Sequence, residues 1–260
     1  MQLRGRHALI TGASHGIGVR LAEEFHARGA RVSVLGRDKA RPDEVAERVG
    51  GQVVVADLAD EHAMRDVVER AERGHGPLDV LVNNAGLVLV AASSEAEAGQ
   101  AATLMTVNAV APMELCRQAL PGMLRRRRGQ LVNVSSLAGV SAVADLSLYG
   151  ASKAALHHYT SVVQRELRGT GVSMSLVTLG EVAGTRMMEQ ARESPTIDAV
   201  SRRLARLIPV LTPEMAARAI TDAVERGSLV ATIPRRLGAA VRLRNLPNAL
   251  QDLAFVGLRR

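Results

Sequence analysis

The chain has 260 residues, 47% hydrophobic, 23% charged and only 2% aromatic, with a net charge of +7. That is globular composition with an aliphatic core, and it excludes a disordered or low-complexity chain. A single cysteine, Cys116, excludes an internal disulfide and a cysteine-based zinc site, and no metal site is expected; no apolar run approaches the ~18 residues of a membrane span, and no signal-type segment precedes the first strand, so a reduced, cytoplasmic setting is expected.

The charge is unevenly placed. Residues 235–260 hold six arginines against Asp252, a net of +5, so the basic character lies largely in the tail. Nucleic acid is not the expected partner, because no zinc finger or aromatic-studded basic strand accompanies the charge.

His7–Thr11 reads as a short buried strand, followed by Thr11-Gly12-Ala13-Ser14-His15-Gly16-Ile17-Gly18 and an apolar helical pattern at Ile17, Leu21 and Phe25. A strand, a glycine loop and a helix in this order form a phosphate cradle. Small residues admit the backbone to a pyrophosphate, and the helix start supplies free N–H groups. The second strand, Arg31–Gly36, ends where a dinucleotide-binding unit specific for NAD carries an acidic residue on the ribose 2′-OH; here stand Gly36 and Arg37. A missing carboxylate and an added guanidinium favour a 2′-phosphate, hence NADP(H) over NAD(H), with His15 as a second contact.

A helix is expected over 41–50 and a third strand over 52–56, ending at Asp57-Leu58, where Asp57 could accept from an adenine amine or cap the next helix. A helix over 61–74 and a fourth strand over 78–82 follow, closing with Asn83, Asn84, Ala85 and Gly86. Alternating strands and helices predict a doubly wound parallel sheet in one Rossmann-type domain over 1–234. Beyond the less regular 87–102, a helix carries Met105, Asn108, Met113 and Leu120, kinked by Pro112 or ended by Pro121. Residues 125–128 are four arginines, read as a solvated loop. A fifth strand over 131–134 closes with Ser135 and Ser136, an irregular loop spans 137–148, and a sixth strand runs over 172–177. Residues 185–207 read as a helix pair over the sheet's carboxyl edge, a lid. Thr212 and Pro213 start a further helix, and 229–233 form a seventh strand.

Tyr149 and Lys153 lie between the fifth and sixth strands, on a helix expected to reach Gly169. The chain has two tyrosines, and its lysines are Lys39 and Lys153 alone. Four residues apart, the phenol and the ammonium share one helix face. The ammonium favours phenolate, so the pair is expected to form a proton donor with a lowered tyrosine pKa.

Together these residues resemble the classical short-chain dehydrogenase/reductase family, over about residues 5–234. Thr11, Gly12, Gly16 and Gly18 match its TGxxxGxG; Asn83 to Gly86 match its NNAG; Asn108 matches its catalytic asparagine; Tyr149 and Lys153 match its YxxxK. Its serine precedes the tyrosine by thirteen residues, which selects Ser136 over Ser135. The resemblance implies a seven-strand sheet of order 3-2-1-4-5-6-7 and hydride transfer between a nicotinamide cofactor and a ketone or secondary alcohol. Tyr149 would be general acid/base, Lys153 would tune it and bind ribose, Ser136 would hold the substrate oxygen, and Asn108 would hold a relaying water. The cofactor would lie along Gly12, Ser14, His15, Gly16, Ile17, Gly18, Arg37, Asp57, Leu58, Asn84, Ala85 and Gly86, with Gly180 and Val182 near the nicotinamide. A homodimer or homotetramer is also implied.

Two positions depart from the family pattern. Leu179-Gly180 replaces its usual Pro-Gly, and the chain ends in a basic tail instead of a strand with Asp-Gly-Gly, which resembles the branch acting on hydrophobic carbonyls. For the tail, a docked helix or dimer contact is preferred over a membrane-surface anchor, because Pro247 splits it. Competing functions are a ketoreductase for carrier-protein-bound 3-ketoacyl groups, with Arg125, Arg126, Arg127 and Arg128 gripping the acidic carrier, an epimerase or dehydratase of the same fold, and a non-catalytic cofactor-binding protein.

Overall fold

The computed structural model describes residues 1–205 and 209–238. Seven strands form one sheet: β1 His7–Thr11, β2 Arg31–Gly36, β3 Gln52–Val55, β4 Val80–Asn83, β5 Gly129–Ser136, β6 Val172–Leu179 and β7 Val230–Ile233. They lie in the order β3-β2-β1-β4-β5-β6-β7, every pairing parallel. This is the expected order. The chain reverses direction across the sheet between β1 and β4, and in an open parallel sheet that reversal opens a crevice at the carboxyl edge.

The central strands are largely buried because both faces of the sheet are covered. Successive side chains point to opposite faces. Ala8, Ile10, Val32, Val34, Val80, Val82, Val132 and Val177 enter a core shared with α1 Gly16–Ala27, α2 Ala40–Val49 and α10 Pro213–Glu225. Leu9, Leu35, Val54, Leu81, Leu131 and Met174 enter a second core on the other face. That face is covered by α3 Glu61–Met64, α4 Val67–His75, α6 Ala111–Arg125, which α5 Gln100–Met105 precedes, and α7 Ser147–Glu166. The span expected to form a lid holds two helices, α8 Arg186–Arg192 and α9 Pro195–Ala205; residues 206–207 of that span, and 239–260 of the tail, lie outside the described residues. No helix among the described residues is long and apolar enough to cross a membrane.

Several expectations change. The helix expected over 61–74 is two helices, because Asp66 sits outside helical geometry at φ −129°, ψ 19°. Asp60, not Asp57, caps the first of them, accepting from the His62 N–H at 2.8 Å. Pro121 lies inside α6 and does not end it. Pro112 acts earlier. It has no N–H to return to the Asn108 carbonyl, and the residues before it, Thr106–Val110, form one wide π-turn between α5 and α6. Residues 137–139 of the irregular loop form a short 3₁₀ turn.

Of the arginines at 125–128, Arg125, Arg127 and Arg128 are exposed as expected and Arg126 is half-buried, but three of them also bond to their own chain. Arg126 donates to the Leu78 carbonyl (2.9 Å), Arg127 to the Gly169 carbonyl (3.2 Å), and Arg128 to buried Asp79 (2.9 Å). They tie the sheet's amino edge to its flanking turns. Arg128 immediately precedes β5 and Ser136 ends it, eight residues further along, about 26 Å of extended strand.

The same edge holds a buried histidine. His7 Nδ1 meets the Gly76 carbonyl at 2.7 Å, so it carries the proton. Nε2 then accepts from Ser33 Oγ at 2.8 Å, which itself accepts from Gln52 Nε2. A second proton on His7 would leave the Ser33 hydroxyl proton without its acceptor. Burial is the largest cause of a pKa lowered to about 4. The unfolded chain takes up this proton near pH 6.5, so stability is full above that pH and falls as pH drops toward 4. Urea midpoints at pH 7.5 and 4.5 should show a loss approaching about 3 kcal/mol from His7, on top of other acid-titrating groups. His7→Gln should lower stability at pH 7.5 but flatten the acid slope; an unchanged slope would refute the assignment.

Candidate active site

The cradle forms where β1 turns into α1. Gly12 adopts φ +68°, and a Cβ there would stand 2.8 Å from Ala85 Cα; a Cβ on Gly18 would stand 2.1 Å from the Gly12 carbonyl oxygen. Thr11 Oγ1 accepts from the N–H groups of Asn84 and Ala85, both at 3.0 Å, and Asn84 Nδ2 donates back to the Thr11 carbonyl at 3.0 Å. The glycine loop and the NNAG segment are therefore one assembly. His15 precedes α1 without capping it, so the first-turn N–H groups of Gly16, Ile17 and Gly18 face no side-chain acceptor of His15. Thr185 of the lid stands over Gly16, its Cγ2 3.4 Å from where a Cβ would be.

At the end of β2, Gly36 has no room for a side chain. A Cβ there would meet Pro42 Cγ at 2.4 Å and Ser14 Oγ at 2.5 Å. Arg37 follows, exposed. Burial, then the charges of Arg41, Arg186 and Arg37, pull the His15 pKa below its ordinary value, against Asp38. The charges of three arginines are thus felt at His15. Of these, sequence reasoning found Arg37. It missed Arg41, one helix arginine among many, and assigned Arg186 to the lid alone.

The other expected cofactor residues divide. Asp57 Oδ1 accepts from the Ala59 N–H at 2.9 Å and Asp57 is exposed, while the Leu58 side chain belongs to the core. The Gly180 N–H is taken by the Ile233 carbonyl at 2.8 Å, and Leu237 presses on Gly180. Val182 is buried; its carbonyl accepts from Thr185 Oγ1 at 2.9 Å.

At the ends of β4 and β5 the structure gathers Asn108, Ser136, Tyr149 and Lys153. Asn108 is fully buried. Its Oδ1 accepts from the Leu87 N–H (2.8 Å), and its Nδ2 donates to the Leu87 carbonyl (2.9 Å) and to Ser152 Oγ (2.9 Å). Ser152 donates onward to the Tyr149 carbonyl at 2.7 Å. Ser152 was missed as a positioning residue, although it lies within the tyrosine motif itself. A Cβ on Gly86 would lie 3.2 Å from Asn108 Oδ1, 3.4 Å from Lys153 Nζ and 3.8 Å from Met187 Cε. Lys153 Nζ donates to the Val134 carbonyl at 3.2 Å and lies 6.0 Å from the centre of the Tyr149 ring.

The electrostatics differ from expectation. Burial holds the Tyr149 phenol above its ordinary pKa, opposed by a hydrogen bond from Ser136. Burial also lowers Lys153 to about 8. The lysine charge is not among the causes acting on Tyr149, so in the protein alone desolvation outweighs the pairing. Cys116, by contrast, is inert: burial pushes its thiol up to about 12.

The geometry can be set beside known proteins. The family description short chain dehydrogenase matches residues 6–196. A relative from Nostoc sp., named ketoacyl reductase HetN, is 33% identical over 228 residues, covering 86% of this chain and 76% of its own length. A short-chain dehydrogenase from Sphingobium yanoikuyae, solved in complex with NADPH, is 28% identical with a TM-score of 0.78, over 98% of this chain and 97% of its own. One from Burkholderia phymatum, solved with NAD, is 24% identical with a TM-score of 0.83, over 96% of each chain. The chain belongs to the short-chain dehydrogenase/reductase family of oxidoreductases.

Proposed function

We propose that the protein transfers a hydride between NADP(H) and a ketone or secondary alcohol, with Tyr149 as general acid/base. The observation that carries this reading is the buried Tyr149 phenol, hydrogen-bonded to Ser136, with Lys153 Nζ behind it at the floor made by Gly86. The cofactor fits the residues present, because Gly12 and Gly18 let the glycine loop fold tightly against Ala85 and the start of α1, where the first-turn N–H groups have no side-chain cap and suit a phosphate. When bound it supplies the hydride. Tyr149 gives its proton to the carbonyl oxygen, and Ser136 donates a hydrogen bond to the same oxygen as charge develops there. Lys153 holds a positive charge beside the phenol and, with the ribose hydroxyls, orients the nicotinamide end. The Asn108 side chain is occupied by Leu87 and Ser152, so a relaying water would take the Asn108 main-chain carbonyl, which Pro112 cannot use.

NADP(H) is favoured over NAD(H) by Gly36. Ser14 and Pro42 fill the place a ribose-binding carboxylate would need, and Arg37 and Arg41, whose charges are felt at His15, add positive charge beside it. The NADPH in the Sphingobium relative agrees. Met187 beside Gly86 suits an apolar group near the reacting carbon. The name of the Nostoc relative supports a ketoacyl substrate as a second reading. A carrier protein would then need another anchor, since Arg126, Arg127 and Arg128 bond to their own chain at the far edge of the sheet.

Tyr149→Phe should lower kcat for NADPH-dependent ketone reduction by about 10³-fold while NADPH Kd stays within about two-fold; steady NADPH consumption at the wild-type rate in this variant would overturn the role. An epimerase or dehydratase would turn over substrate without net NADPH loss. Arg37→Ala and Arg41→Ala should each weaken NADPH binding by about ten-fold or more, as loss of a charge-assisted phosphate contact does, and leave NADH binding unchanged. Equal losses for both cofactors would refute a 2′-phosphate site.

A further inference from the structure

The first turn of α8 spans the two glycine segments of the cradle. Thr185, its cap, stands over Gly16 at the start of α1, and Met187 Cε reaches within 3.8 Å of where a Cβ on Gly86 would be. Arg186 lies between these two contacts. The Thr185 hydroxyl is committed at both ends. It donates to the Val182 carbonyl at 2.9 Å and accepts from the Met188 N–H at 3.2 Å, while the methyl carbon Cγ2 is the atom nearest Gly16. A side-chain donor from this turn toward the start of α1 therefore has to come from Arg186.

Other arginines of α8 and α9 are taken. Arg192 pairs with Glu181 and donates to Ser201 Oγ at 3.1 Å, and Arg202 pairs with Asp198. Arg186 is exposed, and among the described residues no carboxylate lies within ion-pair distance of it. Its charge is felt at His15, the residue before α1, together with the charges of Arg41 and Arg37 and against that of Asp38. These like charges come from three separate segments: the end of β2, the start of α2 and the start of α8. Held together they repel one another, and an anion among them relieves the repulsion. Arg37 and Arg41 belong to the Gly36 end of the cradle. Arg186 is carried on the turn over Gly16, where the pyrophosphate of the cofactor read above would lie.

We propose that Arg186 is a cofactor-binding residue, gripping the pyrophosphate of the dinucleotide from the α8 side. The proposal rests on the nicotinamide-cofactor reading above and adds a division of labour. Arg37 and Arg41 choose between the cofactors at the 2′-phosphate, whereas Arg186 serves a group that NADP(H) and NAD(H) share.

Calorimetry with four ligands tests this in wild type, Arg186→Ala and Arg186→Lys: NADPH, NADH, ADP-ribose, which keeps the pyrophosphate without the nicotinamide, and adenosine 2′-phosphate, which lacks the pyrophosphate. Arg186→Ala should weaken NADPH, NADH and ADP-ribose each by about ten-fold, as loss of a hydrogen bond to a charged group does. It should leave adenosine 2′-phosphate affinity and the thermal midpoint of the unliganded protein unchanged, because Arg186 is exposed. Arg186→Lys should recover part of the loss, keeping the charge without the planar fork. No loss in Arg186→Ala, or a loss confined to NADPH and adenosine 2′-phosphate, overturns the proposal. So does a lowered midpoint with equal losses for all four ligands, which marks a structural role. Wild type that binds none of the four overturns the cofactor reading as well. The expected losses without NADPH consumption on any ketone overturn the oxidoreductase reading and leave the Arg186 assignment supported.

Discussion

The constraint on which the site depends is the close approach at Gly86. The segment leaving β4, the π-turn bearing Asn108 and the helix bearing Lys153 meet there, with two polar side chains within 3.4 Å of where a methyl group would stand. A methyl group there would push on the Asn108 side-chain oxygen, which the Leu87 N–H holds in place, and would stand in contact with Lys153. The approach is stabilised from both sides. Thr11 fastens Asn84 and Ala85 to the glycine loop, and Asn108 fastens Leu87 to Ser152 on α7. The glycine loop and the Tyr149–Lys153 helix, the proposed cradle and proton-transfer element, are thus joined through the same few residues. A shift in either moves the other, which suits a reaction whose two partners must be aligned to within a fraction of an ångström.

Burial then sets the electrostatics. Taking Lys153 out of water lowers its pKa to about 8, and taking Tyr149 out of water keeps the phenol protonated. Read as a reductase, the protein alone holds the proton donor in its acid form and a cation that titrates near working pH. The positive nicotinamide of an oxidised cofactor would add the missing pull toward phenolate. On the proposed reading, the two directions of the reaction would use different charge states of one buried pair.

Much of the fold was legible because its signals are local. The spans of β1 and β2 followed from short apolar runs bounded by glycine, and the start of α10 from Thr212 and Pro213, where Thr212 accepts from the Met215 N–H. The gathering of Asn108, Ser136, Tyr149 and Lys153 was legible through the family's motif spacing, not through periodicity. What escaped was set by tertiary contact. The 61–74 helix breaks at Asp66, and Pro121 is tolerated inside α6, neither of which composition reveals. Arg126, Arg127 and Arg128 looked like a free basic run because their acceptors, two carbonyls and Asp79, are distant in sequence. Arg41, Arg186 and Ser152 belong to no spacing rule. The raised Tyr149 pKa was missed because helix spacing reports a pair's proximity but not its desolvation.

In the proposed reaction Tyr149 donates its proton beside a Lys153 cation whose pKa burial lowers to about 8. The pH dependence of kcat/KM for NADPH-dependent ketone reduction tests it most directly, since that ratio reports groups of the free enzyme. The account predicts a profile level through the neutral range that falls as pH rises through about 8, where Lys153 loses its charge. A profile that stays level to pH values well above 8, or whose descending limb lies below neutrality, would contradict it.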